Sequence, residues 1–337
     1  MEIALLIIVF VGLFALGVPI AICIGLSTLA TMVVTMDFLP AATTIAQRMA
    51  GGLNSFALLA IPLFILSGQL MAQGGIARRL IEFSKAMIGM VPGGLAFVNV
   101  ISCTLFGAIS GSSIAATTAV GSFMIPEMKK EGYDKNFSAA VTVTSATTGL
   151  LIPPSNTLIV YAVASGGVSI AALFVAGYVP GLMISIATLV VCAIYARRNN
   201  MPAGERVSAR VALKYTIAAL PSLFLIVLVI GGILAGIFTA TEAGAIAVLY
   251  ALLLSAVVYR EIDLADIASI CLKAAQTTAV VMFLIAASIA MSWILAYQNI
   301  PTMVAEALVG VSDNPIVILL LINIVLLLVG IFMDMTP

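Results

Sequence analysis

The sequence predicts an all-α polytopic membrane protein with an inverted repeat, re-entrant hairpins and broken helices. Three observations carry this. Of its 337 residues 63% are hydrophobic and 8% charged, where soluble domains carry about 25% charge, and long apolar runs of this kind cross a bilayer as helices. Two apolar runs are interrupted mid-way, at Gly107-Ala108-Ile109-Ser110-Gly111-Ser112-Ser113 and at Ile152-Pro153-Pro154-Ser155-Asn156. In lipid an unpaired backbone group costs several kcal/mol, so broken backbone is tolerated only under a cover of protein or beside a watery cavity. The two halves also resemble each other at a shift of about 224 residues, the mark of a repeat architecture.

Composition also excludes chemistry. Formal net charge is zero, so no basic surface is offered to nucleic acid. The chain has no histidine, which removes from these residues a Ser–His dyad, an HExxH zinc site and a histidine proton relay. Cys23, Cys103, Cys192 and Cys271 lie scattered in apolar runs without metal spacing and read as small buried hydrophobes. The N-terminal run lacks a basic leader and an A-x-A-like cleavage site before a polar chain, so it is expected to stay as a helix.

Taken in order, Glu2 to Met36 is one apolar run. As one straight helix it would measure about 50 Å against a hydrocarbon core of about 30 Å, so it must tilt or fold back. Gly17-Val18-Pro19 is the natural break. Asp37 to Gly52 is amphipathic and interfacial, with Gln47 and Arg48 at its polar end. Asn54 to Gln73 spans. Ile76 to Gly89 carries Arg78, Arg79, Glu82 and Lys85 among apolar residues, as a helix lying in the interface does. Within Val91 to Ile125 the arms Gly94–Ala108 and Ile114–Ile125 are each shorter than the ~20 residues needed to cross, which predicts a re-entrant hairpin with its tip at Ser110–Ser113.

Phe137 to Ala164 spans but is broken at Pro153-Pro154, and Val168 to Ala196 spans. Arg197 to Lys214 is the most basic loop. Spans follow to about Ala235 and from Thr239 to Tyr259, with Glu242 read as a helix-start residue after Thr241. Arg260 to Lys273 is polar and then amphipathic, Ala274 to Tyr297 spans, Pro301 to Val311 is interfacial, and Pro315 opens a last apolar run. Placing Arg197–Lys214 in the cytoplasm puts Lys129–Lys135, Arg78/Arg79/Lys85 and Arg260 there too, with the N-terminus outside.

The repeat aligns Ser67–Gln73 with Ser292–Gln298, Val98-Asn99-Val100 with Ile322-Asn323-Ile324, and the Gly107 region with Gly330–Pro337. This topology gives the two copies opposite orientations. It also predicts that the second copy continues past Pro337 for about 90 residues, with a returning hairpin arm, a broken span and a final span.

These motifs, with Leu58–Ile65, Gln47-Arg48-Met49 and Thr239–Ala243, resemble the large membrane subunit of TRAP (tripartite ATP-independent periplasmic) transporters, over the whole chain. The resemblance implies an elevator-type transporter in the bacterial inner (plasma) membrane, not an enzyme. It implies sodium-driven uptake of small organic anions: C4-dicarboxylates, sialic acid or sugar acids. The partners it implies are a periplasmic substrate-binding protein, a small four-helix membrane subunit and the lipid bilayer. On this reading residues 1–53 are scaffold helices with an interfacial segment. Residues 54–196 form a first transport half, comprising a span, an interfacial arm helix, a hairpin at 91–125, a broken helix at 137–165 and a span at 168–196. Residues 197–214 are the basic loop, 212–273 the second repeat's scaffold, and 274–337 a second transport half reaching the tip of a second hairpin.

Sodium is a hard cation that binds oxygens, and broken helices free carbonyls at negative half-helix ends. Ser110, Ser112 and Ser113, with carbonyls near Gly149 to Pro153 and the side chains of Ser155 and Asn156, would form one Na⁺ cage. Gly330, Asp334 and Thr336 would form half of a second. Ser113, Thr117, Thr148 and Asn156 are the candidate substrate contacts, since half-helix N-termini suit carboxylates. Blander readings stand beside these. Small-residue runs also serve helix packing, Pro153-Pro154 also suits a plain kink, and Arg48, Trp293 and Tyr297 suit interfacial anchors. The alternative functions are a single-component Na⁺/dicarboxylate or citrate symporter, a structural scaffold, and an intramembrane hydrolase using Ser112 or Asp334. For the hydrolase the sequence supplies no histidine base.

Overall fold

The computed structural model describes residues 2–332 apart from Gly166, Pro202, Glu205, Arg206 and Asp313. Its described residues form helices and no named strand, with one isolated β-bridge between Pro92 and Ala203. Five described stretches are long and apolar enough to cross a bilayer: Phe56–Gln73, Ile170–Arg198, Ala209–Leu234, Ala240–Val258 and Ala265–Tyr297. The protein is all-α and polytopic, as its composition requires. The chain divides into two compact units, Met1–Ser55 with Ala279–Pro337, and Phe56–Thr278.

In the first unit, α1 (Glu2–Ala15) and α2 (Ile20–Thr35) fold back on each other. The turn lies where it was expected, at Gly17, whose φ of 76° is the left-handed region that glycine tolerates, followed by Pro19 at the helix start. Helix α3 (Phe38–Leu53) is amphipathic. Leu6, Met32, Ala41 and Ile294 make one buried cluster, and Ala21, Ile24, Leu284 and Ala287 another. The Arg48 guanidinium lies 5.1 Å from the Trp293 ring, which stacks on Tyr297 at 5.3 Å. That is the arrangement of an aromatic anchor with its cation.

In the second unit a 3₁₀ turn at Phe56–Leu59 leads into α4 (Ala60–Gln73). Helix α5 (Ile76–Ile88) buries Ile76, Ala77, Leu80, Ile81 and Ser84, a single stripe at helical spacing, and turns its charges outward. The hairpin is α6 (Gly94–Ser110) and α7 (Ser113–Lys130). Its second arm runs through Pro126 to Lys130, beyond the expected stop at Ile125. Lys129 and Lys130 complement the negative helix end, and Glu127 pairs with Lys85 of α5, so the last turn is held despite the proline.

The broken span is α8 (Lys135–Ala146), the short α9 (Thr148–Leu151) and α10 (Asn156–Ala164), followed by the continuous α11 (Ile170–Arg198). Helices α12 (Ala209–Leu234) and α13 (Ala240–Leu252) follow in this unit, α13 passing into a π-helical segment at Leu253–Val258. Helix α5 gathers the charged loops at one end of the unit. Arg78 and Arg79 pair with Glu261 at 2.6 and 2.9 Å, and a side chain on Gly204 would meet the Gly89 carbonyl at 2.2 Å.

Three details depart from the sequence reading. Of the stretch 260–273, read as polar and then amphipathic ahead of a span from Ala274, the part from Leu264 runs without interruption into that span as α14 (Leu264–Tyr297), 34 residues long, because no glycine or proline lies between to stop it. The cap of α13 is Thr239 rather than Thr241. Thr239 and Glu242 form a reciprocal capping box, while the Thr241 hydroxyl donates to the Phe56 carbonyl at 3.1 Å. Cys271 is exposed, unlike the buried Cys23, Cys103 and Cys192.

The chain closes with α15 (Ile300–Val311) and α16 (Pro315–Phe332). The repeat reaches the element boundaries here. Gly75 before α5 and Asn299 before α15 both take left-handed φ, 72° and 56°, and stand 224 residues apart (299 − 75).

Candidate functional site

The site is built where two interrupted helices face each other inside the second unit. At the hairpin tip Gly111 takes φ 63° and caps α6 by donating to the Gly107 carbonyl at 2.9 Å. The chain then restarts as α7 with Ser112 as N-cap, its oxygen accepting from the Ala115 N–H at 3.3 Å. In the broken span α9 stops at Leu151, and the chain passes through a cis Pro153-Pro154 bond. It restarts as α10 with Ser155 as N-cap. Ser155 Oγ donates back to the Leu150 carbonyl and accepts from the Leu158 N–H at 3.3 Å. Serine recurs at both restarts because a short side-chain oxygen satisfies an orphan helix N–H.

The two breaks touch backbone to backbone. The Asn156 N–H donates to the Gly111 carbonyl at 3.4 Å. A side chain on Gly111 would meet the Pro154 carbonyl oxygen at 2.5 Å, and one on Gly107 would meet the Gly149 Cα at 2.6 Å. Glycine is therefore required at Gly111 by both angle and space, and at Gly107 and Gly149 by space alone. From the far side, Gly177 and Gly181 of α11 let Leu151 and Ile152 approach, and Gly68 of α4 sits against Ser110.

The residues predicted for the first cage lie at and beside these two breaks. Ser110 is fully buried with its hydroxyl donating to the Ser112 carbonyl at 3.4 Å; Gly149, Pro153 and Ser155 are buried; Ser112, Ser113 and Asn156 are half-buried. Asn156 Oδ1 is buried and has no hydrogen-bond partner among the described residues. A buried acceptor left unpaired costs free energy unless something occupies it. Thr117 lies half-buried one turn into α7. Thr148 is fully buried, its hydroxyl donating to the Ser145 carbonyl at 2.6 Å. Of the predicted second cage only Gly330 is described, exposed on α16, and Asp334 and Thr336 lie outside the described residues. Sequence reasoning passed over Thr104, Ser185 and the glycines of α11, which look like ordinary small residues in apolar runs until the fold brings them to the break.

Among the described residues no group of three or more His, Cys, Asp and Glu gathers as a metal site. The oxygens at the two breaks are carbonyls, hydroxyls and one amide. Such a set suits a hard monovalent cation, and the restarting N-termini of α7 and α10 supply the positive ends that suit a carboxylate. The chain also matches known proteins. The family model described as "Tripartite ATP-independent periplasmic transporter, DctM component" matches residues 7–337. The chain belongs to the DctM family. That family consists of transport proteins, so this chain is a multi-pass membrane component of a transporter rather than an enzyme.

Of three relatives of this DctM component, two are named as TRAP transporter large permeases. It is 49% identical over 328 residues to the uncharacterized protein YgiK of Salmonella typhimurium, covering 97% of this chain and 75% of the relative. It is 38% identical over 337 residues to the C4-dicarboxylate TRAP transporter large permease protein DctM of Rhodobacter capsulatus, covering 96% and 76%. It is 37% identical over 325 residues to the sialic acid TRAP transporter large permease protein SiaM of Vibrio cholerae, covering 96% and 75%.

Proposed function

We propose that this chain is the large transmembrane subunit of a Na⁺-coupled TRAP-type secondary transporter of the bacterial inner membrane. It takes up small organic anions, C4-dicarboxylates or sialic or sugar acids, delivered by a periplasmic binding protein, and works with a small four-helix membrane subunit. The observation that carries the reading is the apposition of the hairpin tip to the broken span, with Asn156 Oδ1 buried and unpartnered between them. Na⁺ binds at this junction, drawing on Asn156 Oδ1, the hydroxyls of Ser110, Ser112, Ser113 and Ser155, and carbonyls between Gly149 and Pro154. Binding orders the tip, and the anion is then held by the α7 and α10 N-termini with Ser113 and Thr117. The inverted halves move the loaded hairpins past the scaffold as an elevator.

The test is uptake of radiolabelled organic acids into proteoliposomes that hold the transporter with its small subunit. The assay is run with and without a Na⁺ gradient, and with and without the binding protein. Uptake that needs both is the expected result. Na⁺-driven uptake without the binding protein would make the chain a single-component symporter. Uptake of no organic acid by folded protein would remove the transport assignment of this site.

A further inference from the structure

Behind the break, three hydroxyls on three different helices meet. Thr104 of α6 lies 3.1 Å from Ser185 of α11, and Thr148 of α9 lies 3.5 Å from Thr104. Each hydroxyl has a single hydrogen to give. Thr104 donates to the Val100 carbonyl at 2.8 Å, so its oxygen is left as the acceptor that Ser185 and Thr148 face. Ser185 and Thr148 each have a carbonyl acceptor of their own, Gly181 at 3.1 Å and Ser145 at 2.6 Å. Ser185 and Thr148 thus each share their one hydrogen between their own carbonyl and the Thr104 oxygen, and each keeps the carbonyl as partner when that oxygen is removed.

The position of this junction gives it consequence. Gly107, one turn along α6 from Thr104, touches Gly149, the residue after Thr148. Gly181, one turn along α11 from Ser185, touches Ile152 at the break. The hydroxyls thus fix the register of α6, α9 and α11 at the base of the segment whose other end presents the Pro154 carbonyl and Asn156 to the hairpin tip. Resting on the Na⁺ reading above, we infer that Thr104, seconded by Ser185, is a positioning residue that sets Na⁺ affinity without touching the ion. The oxygen at residue 104 holds α9 at the height where the break's carbonyls and Asn156 Oδ1 converge with the tip.

Thr104→Val keeps the shape, removes the oxygen and leaves no donor unpaired, so the variant folds. In proteoliposomes holding the transporter and its small subunit, the half-saturating Na⁺ concentration should rise about five- to ten-fold, the scale of one lost hydrogen bond. The KM for the organic acid at saturating Na⁺ should stay within about two-fold, and Thr104→Ser should restore the wild-type Na⁺ curve. Ser185→Ala, measured alongside, should shift the Na⁺ curve in the same direction by less. A wild-type Na⁺ curve for both Thr104→Val and Ser185→Ala, or equal loss in Na⁺ affinity, KM and maximal rate, would overturn the inference while leaving the Na⁺ reading standing. Wild-type uptake indifferent to Na⁺ would overturn the reading beneath it.

Discussion

Two helices of the second unit lose their regular hydrogen bonds, and the freed groups meet different fates. In the π-helical segment at Leu253–Val258 the ladder is re-made at once. The Tyr259 N–H donates to Leu254 at 2.7 Å, Glu261 N–H to Ser255 at 3.0 Å, and the Ser255 hydroxyl to Leu70 at 3.4 Å. The charges around it are matched too. Glu261 takes Arg78 and Arg79, and the Arg79 guanidinium lies 3.5 Å over the Tyr259 ring. At Ile152–Ser155 the accounting stays open. Serine caps close part of it, but Asn156 Oδ1 is left buried without a partner, and a second broken helix is pressed against the first through glycine. An irregular turn whose polar groups are re-satisfied locally is structural. One that leaves oxygens converging on a second break is where the proposal places the ion.

That contrast can be broken at either end. The largest effect is expected from Gly111→Val. A β-branched residue at φ 63° with the Pro154 carbonyl 2.5 Å from its Cβ should abolish uptake and lower the melting temperature in detergent. Retained Na⁺-driven uptake would mean that the tip does not close on the break. Next is Asn156→Leu, which should weaken the Na⁺ dependence of uptake about ten-fold with little loss of thermal stability, because the amide oxygen gives up no protein hydrogen bond. A melting temperature that falls while the Na⁺ curve stays put would make Asn156 structural.

Glu261→Gln should do the reverse. It strips the partner from two arginines and should cost about 1 kcal/mol of stability, since the pairs are partly solvated, with the Na⁺ curve unmoved. A shifted Na⁺ curve would show the π-helical end to be coupled to the site. The smallest effect is expected from Thr239→Ala, which opens the capping box of α13 at about 0.5–1 kcal/mol, read by thermal denaturation alone.

Much of this was legible in the sequence because the punctuation is local. Gly17-Val18-Pro19 breaks the first run, Ser110–Ser113 makes the hairpin tip, and Pro153-Pro154 interrupts the run Phe137 to Ala164, each through backbone chemistry that needs no tertiary partner. What escaped depends on neighbours distant in sequence. The last turn of α7 survives beyond Pro126 because Lys85 reaches Glu127, and the Thr241 hydroxyl turns to the Phe56 carbonyl; the α13 cap on Thr239, by contrast, is a local Thr-x-x-Glu capping box that the sequence offered. Thr104 and Ser185 each bond a carbonyl one turn back, as hydroxyls in any apolar helix do, so nothing local distinguishes them. The facing of residues 110–113 with 149–156 was expected from the paired breaks together with the repeat and the resemblance. The glycine contacts that make it so close came only with the fold.

The most direct test of the central claim is the Na⁺ dependence of thermal stability for the purified transporter, with choline replacing Na⁺ at constant ionic strength. A ligand that binds only the folded state raises stability saturably with its concentration. The account predicts that Na⁺, and not choline, raises the melting temperature, and that Asn156→Leu moves the response to higher Na⁺ while Glu261→Gln lowers the curve without moving it. A response identical in Asn156→Leu and wild type would place the ion elsewhere and contradict the account.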